Sequence, residues 1–144
     1  MDDNIFQLDI LDEQETPKTE MQKYGFRIFI SDWEWLKDLV KYKILKTEDL
    51  EFNNSKAISE GVSLLNKKNG NVQQRKKNIR YRPGRRDNPG ELKMTSTYIT
   101  KDEVEYLKNY HFHTIFNKGN LEYSQMELFS ELVNLLKIKY KGKF

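Results

Sequence analysis

The side chains of this chain with the greatest capacity for chemistry are cations, and they are crowded. Between Asn66 and Lys93 lie Lys67, Lys68, Arg75, Lys76, Lys77, Arg80, Arg82, Arg85, Arg86 and Lys93, opposed only by Asp87 and Glu91. Cations clustered in this way are the footprint expected of a phosphate-binding surface, the plain alternative being a solvated linker. The first twenty residues carry the opposite sign, with Asp2, Asp3, Asp9, Asp12, Glu13, Glu15 and Glu20 against Lys18. Ile5, Phe6, Leu8, Ile10 and Leu11 are interleaved with those acids. The segment therefore reads as a solubilising tail, as a docking peptide for a protein partner, or as an internal competitor for the basic surface.

Catalytic chemistry has little to stand on. The chain has no cysteine, which removes thiolate nucleophiles, disulfides and thiolate zinc sites. Its two histidines, His111 and His113, are spaced i and i+2, so a helix turns them to different faces and a shared metal is not expected. No glycine-rich phosphate loop or His-Glu metal motif is present, and the carboxylates fit helix caps and solvated faces. No enzyme, cofactor or metal is expected. With no apolar run of transmembrane length and no cationic leader before an apolar core, the reading is a cytoplasmic chain without a membrane partner. The net charge of +3 is mild and by itself says little.

The elements that must position the cations come from an internal repeat. Leu50 to Leu65, LEFNNSKAISEGVSLL, returns as Leu121 to Leu136, LEYSQMELFSELVNLL. Seven positions are identical, among them Ser59/Ser130, Glu60/Glu131 and Val62/Val133. A repeat is sought first because missing it miscalls the fold. Two copies suit an internal pseudo-dimer better than an array. The same offset of 71 residues pairs Leu36 with Leu107 and Ile44 with Ile115, so the whole unit is duplicated. Each copy opens on a β-branched and aromatic run, Tyr24 to Ile30 and Lys93 to Ile99. Each run ends at an expected capping box, Ser31 to Glu34 and Thr100 to Glu103, which starts a first helix. A second helix follows, with Asn53 and Ser124 as N-caps and Ile58, Val62, Leu65 and Phe129, Val133, Leu136 along the buried stripe. In the first helix Leu36, Leu39, Val40 and Ile44 point inward, and Trp33 and Trp35 cannot both be fully buried beside them. Gly61 in the second helix marks a close approach, its counterpart across the pseudo-twofold being Leu132.

Strand, helix, helix in about 43 residues, given twice, with a polar cap after the strand and the pattern apolar-Ser-Glu-x-Val-x-Leu-Leu, resembles the ribbon-helix-helix family of DNA-binding proteins, the group of the Arc and methionine repressors. The likeness covers Lys23 to Asn66 and Lys93 to Lys139. It implies an α+β fold in which two β-α-α units share a two-stranded antiparallel ribbon and a four-helix core, a tandem pseudo-dimer in one chain. The expected division is an acidic tail over 1–22, unit one over 23–66, a basic linker over 67–92 and unit two over 93–144. Turn signals at Asn69-Gly70, Pro83-Gly84 and Asn88-Pro89-Gly90 support the linker. Its length gives a coil span on the order of 25–30 Å, enough to fold unit two onto unit one at an effective concentration in the millimolar range.

The resemblance further implies that the outward ribbon face enters the major groove of double-stranded DNA. On that reading Phe26, Ile28 and Ile30 face the helices, and Gly25, Arg27 and Phe29 face the bases. In the second strand the junction with the helix implies Met94, Ser96 and Tyr98 outward, although Lys93, Thr95 and Thr97 form the more polar face. The expected base readers are Gly25, Arg27, Phe29, Ser96 and Tyr98. Phosphates are expected at Asn53, Asn54, Ser124 and Gln125, where helix starts present free N–H groups, and at Arg80, Arg82, Arg85 and Arg86 of the linker, which could also lie in a narrow minor groove. The single-chain tandem is similar in architecture to accessory proteins of plasmid conjugation. The expected role is an accessory or regulator of a mobile element at an origin of transfer, as a monomeric pseudo-dimer able to assemble cooperatively on DNA, with a protein partner such as a relaxase at the acidic N-terminus. The alternatives are a transcriptional repressor of plasmid or phage genes and an antitoxin-like autoregulator.

Overall fold

A computed structural model of the 144-residue chain describes residues 20–70, 72 and 91–144. The acidic segment before Glu20 and most of the basic linker lie outside the described residues. The elements run β1 (Met21–Phe29), α1 (Ile30–Lys46), α2 (Asn54–Asn69), β2 (Leu92–Thr100), α3 (Lys101–Phe116) and α4 (Gln125–Lys139). The fold is α+β. Its two strands pair antiparallel from Met21 opposite Thr100 to Phe29 opposite Leu92, with Gly25 opposite Ser96 at the midpoint. Each half of the chain thus contributes one strand and two helices.

The boundaries repeat at the 71-residue spacing throughout: β1 maps onto β2, and the starts of α1 and α2 map onto those of α3 and α4. This corrects the expected start of the first helix. Ser31 forms no capping box; the N-cap is Phe29, which offers no side-chain acceptor. The cause lies in the ladder, which continues one residue past the strand: the Ile30 N–H donates to the Glu91 carbonyl at 3.0 Å, and at the equivalent place the Lys101 N–H donates to Glu20 at 2.9 Å. The junction is thereby fixed before Ser31 is reached. In the second half Thr100 does cap, its hydroxyl accepting from the Glu103 N–H at 3.1 Å while the Glu103 carboxylate accepts from the Thr100 N–H at 2.9 Å.

Strand alternation sends Phe26, Ile28, Thr97 and Ile99 into the core. Phe26 stacks on Phe129 with ring centroids 4.3 Å apart and meets Trp33 at 6.4 Å, so the first strand is keyed to a helix of the other half. Thr97 goes inside despite its polarity because its hydroxyl donates to Ser55 Oγ at 2.6 Å and leaves no orphan group. Ile58, Val62 and Leu65 on α2 and Phe129, Val133 and Leu136 on α4 are buried, as are Leu36 and Leu39 on α1; Val40 and Ile44 are half-buried. Trp33 is buried, whereas the half-buried Trp35 packs on Phe144 at 5.4 Å.

Three contacts between the halves explain residues singled out in the repeat. A Cβ at Gly61 would lie 2.2 Å from Leu132 Cδ2, so the glycine is the socket for a leucine that is itself fully buried. Ser59 donates to the Glu103 carboxylate, and its equivalent Ser130 hydrogen-bonds Asp32. Each repeated serine therefore reaches the first helix of the opposite half. Asp32 is buried, and desolvation raises its carboxyl above the usual carboxylate range, against the pull of Lys137 and the Ser130 bond.

Candidate nucleic-acid interface

The ribbon has one face packed on helices and one face in solvent. The register sets the outward residues opposite one another as Lys23 with Tyr98, Gly25 with Ser96, Arg27 with Met94 and Phe29 with Leu92. Lys23, Gly25, Arg27, Met94 and Tyr98 are exposed, while Ser96, Phe29 and Leu92 are half-covered. All five expected base readers share this face, and Tyr98 stands outward at 56% exposure. Lys23 joins this face, which a strand starting at Tyr24 would leave out; β1 starts three residues earlier, at Met21. Its parity with Arg27 was the available signal. The face holds two cations and no carboxylate between Lys23 and Arg27 or between Met94 and Tyr98.

Both strands are held by the helix starts of the opposite half. The Arg27 N–H donates to Gln125 Oε1 at 2.9 Å, and the Gln125 amide in turn donates to the Tyr24 hydroxyl at 3.0 Å. At the equivalent position the Tyr98 N–H donates to Ser55 Oγ at 3.1 Å. Arg27 and Tyr98 correspond under the 71-residue spacing, so two equivalent outward residues have their backbones tied in matching fashion. Anchored backbone reduces the conformational freedom that a binding event must remove. The first turns of α2 and α4 consequently sit one at each edge of the ribbon.

The side chains expected to hold phosphate at those turns are placed as follows. Asn53 accepts from the Lys56 N–H at 2.9 Å, and Ser124 and Glu127 form a reciprocal capping box. Asn54 is half-buried with Oδ1 unpartnered, and Gln125 is engaged by β1 and Tyr24. What these helix starts offer an anion is chiefly their first-turn N–H groups and the positive end of the helix dipole. A cleft of about 290 Å³ lies beside the start of α2, lined by Asn53, Ser55, Lys56, Tyr98 and Glu103 among others. Arg80, Arg82, Arg85 and Arg86 lie outside the described residues.

Two titratable side chains with shifted values lie in the packed interior of the second half. His111 is held below its ordinary value by burial, with Nε2 3.4 Å from the Tyr123 carbonyl. The Tyr110 hydroxyl donates to Glu131 at 2.7 Å and is pushed up by burial and that carboxylate. Among the described residues no group of three or more His, Cys, Asp or Glu is arranged to hold a metal ion, and no helix is long and apolar enough to cross a membrane. Comparison with protein-family models, with curated proteins and with solved structures returned no match to this chain.

Proposed function

We propose that this chain binds double-stranded DNA sequence-selectively, as a tandem ribbon-helix-helix pseudo-dimer that lays its two-stranded ribbon in the major groove. The observation that carries this reading is the ribbon itself: one face is sealed on helices, and the other presents Lys23, Arg27, Met94 and Tyr98 on strands whose edges are pinned by helix starts. The major groove admits a two-stranded ribbon, and each base pair shows a distinct pattern there. Arg27 can take guanine O6 and N7 with its fork, the Met94 side chain opposite it suits a thymine methyl, and the first turns of α2 and α4 accept the flanking phosphates. The linker arginines add affinity through counterion release.

The two strands differ at every outward position, Lys23, Gly25 and Arg27 against Met94, Ser96 and Tyr98. The target is therefore asymmetric. An asymmetric site suits a directional process, which favours an accessory role at an origin of transfer of a mobile element over repression at a palindromic operator. Amide chemical-shift mapping with a binding duplex tests the docking mode. Shifts should concentrate on the outward residues of β1 and β2 and on the first turns of α2 and α4. Shifts confined to the outer faces of the helices would overturn the assignment.

A further inference from the structure

Away from the ribbon, α1 carries an apolar groove of about 310 Å³ with a basic rim. Its floor is Tyr42, Leu45 and Phe144, and its rim holds Lys41, Lys46 and Lys143, with Asp38 the one acid among the lining residues. Leu45 and Phe144, which both line it, are 63% and 52% exposed, large values for apolar side chains. Phe144 is seated on Tyr42 at 5.1 Å and on Trp35 at 5.4 Å, so the floor is preformed by stacked rings. The groove breaks the symmetry of the fold. At the 71-residue spacing Lys41 and Lys46 correspond to Phe112 and Asn117, and Phe112 is buried. The corresponding positions of the other half therefore carry neither of these two cations.

We infer that this groove takes the chain's own N-terminal segment Ile5 to Leu11, IFQLDIL, with its internal Asp9 and the flanking acids Asp2, Asp3, Asp12 and Glu13 meeting the lysine rim. The complementarity is twofold. The segment is the most acidic stretch of the sequence and also carries five apolar side chains within seven residues. The groove is the reverse in charge and the same in polarity. From Leu11 to the start of β1 at Met21 the backbone extends to about 33 Å, comparable with the diameter of a domain of this size. Tethering at that length supplies an effective concentration in the millimolar range, so even a weak peptide contact is occupied. The inference is independent of DNA binding, because the groove and the outward ribbon face share no residue.

The chain has no cysteine, so Gln14→Cys, just beyond the segment and its acids, gives a single attachment point for a nitroxide in the full-length protein. Amide relaxation should then broaden Asp38, Tyr42, Leu45 and Lys46 severalfold more than the outward residues of β1 and β2. Exposed Lys41→Glu and Lys46→Glu together should return those amides to the unbroadened level while the rest of the spectrum keeps its native dispersion. Raising ionic strength should weaken the contact in the same direction. Three results would overturn the inference. Broadening centred on the ribbon would make the segment a competitor for the proposed DNA surface. Broadening of an isotope-enriched, unlabelled copy by a labelled one would assign the groove to a second chain. No differential broadening would leave the groove without this occupant.

Discussion

Gly61→Ala separates local preference from packing, because the two predict opposite signs. Alanine is favoured over glycine inside a helix by about 1 kcal/mol, so an isolated α2 would be stabilised. In the folded protein the new Cβ would stand 2.2 Å from Leu132 Cδ2 and 2.5 Å from its Cγ. Leu132 is 0% exposed, so its branch point and not only a mobile tip must move within a filled core. Overpacking of this kind costs about 1–3 kcal/mol. Contacts as short as these belong to the upper part of that range, so the clash wins and the variant should be net less stable by up to about 2 kcal/mol after the helix gain is subtracted. Leu132→Ala opens a cavity worth about 2–5 kcal/mol. The double variant places two alanines face to face, relieving the clash and part of the cavity, so its loss should fall short of the sum by about 1–2 kcal/mol. Urea unfolding followed by far-ultraviolet dichroism supplies all four corners of the cycle. A Gly61→Ala protein more stable than the parent, or strictly additive losses, would refute the knob-and-socket contact between the halves.

Further outcomes follow from the same contacts. Thr100→Ala should cost about 1 kcal/mol through its lost cap, whereas Ser31→Ala should stay within about 0.5 kcal/mol because that hydroxyl caps nothing; comparable losses in urea melts would restore the Ser31 box. Because the Asp32 carboxyl is raised in the folded state, its contribution to stability declines as pH rises from its ordinary 3.8 through the folded value. The stability of Asp32→Asn minus that of the parent should accordingly grow across that window and then level; a difference that shrinks with pH would mean a depressed carboxyl. Replacing Arg80, Arg82, Arg85 and Arg86 by serine should flatten the dependence of log affinity on log salt by about 0.9 per lost phosphate contact while the ranking of DNA sequences stays the same. A changed ranking would mean that the linker reads sequence or shape.

Period and repetition made much of the fold legible. The helix stripe Ile58, Val62, Leu65 and its copy Phe129, Val133, Leu136 are buried, Asn53 and Ser124 are the N-caps, and the Gly61–Leu132 pair meets as its spacing implies. The strand-to-helix junction of the first half was not legible, because Ser31 to Glu34 satisfies a local capping pattern while the ladder bond from Ile30 to Glu91 is long-range. Thr97 was ambiguous for a similar reason: polarity argues for solvent, and only the partner hydroxyl of Ser55, 42 residues away, makes burial inexpensive. The clamps on Arg27 and Tyr98 were also hidden, since they join Gln125 and Ser55 to strands of the other half. Sequence pattern reports which face a residue occupies; it does not report which distant group completes its hydrogen bonds.

The most direct test of the proposed function is selection from a random duplex pool with the wild-type chain, followed by dimethyl sulfate protection on the enriched sequence. The proposed docking predicts one non-palindromic site in which a guanine N7, a major-groove atom, is protected by the wild type and freed by Arg27→Ala, with about 1–3 kcal/mol lost on that site and less on random DNA. No enrichment over the input pool, or protection only at adenine N3 in the minor groove, would contradict it.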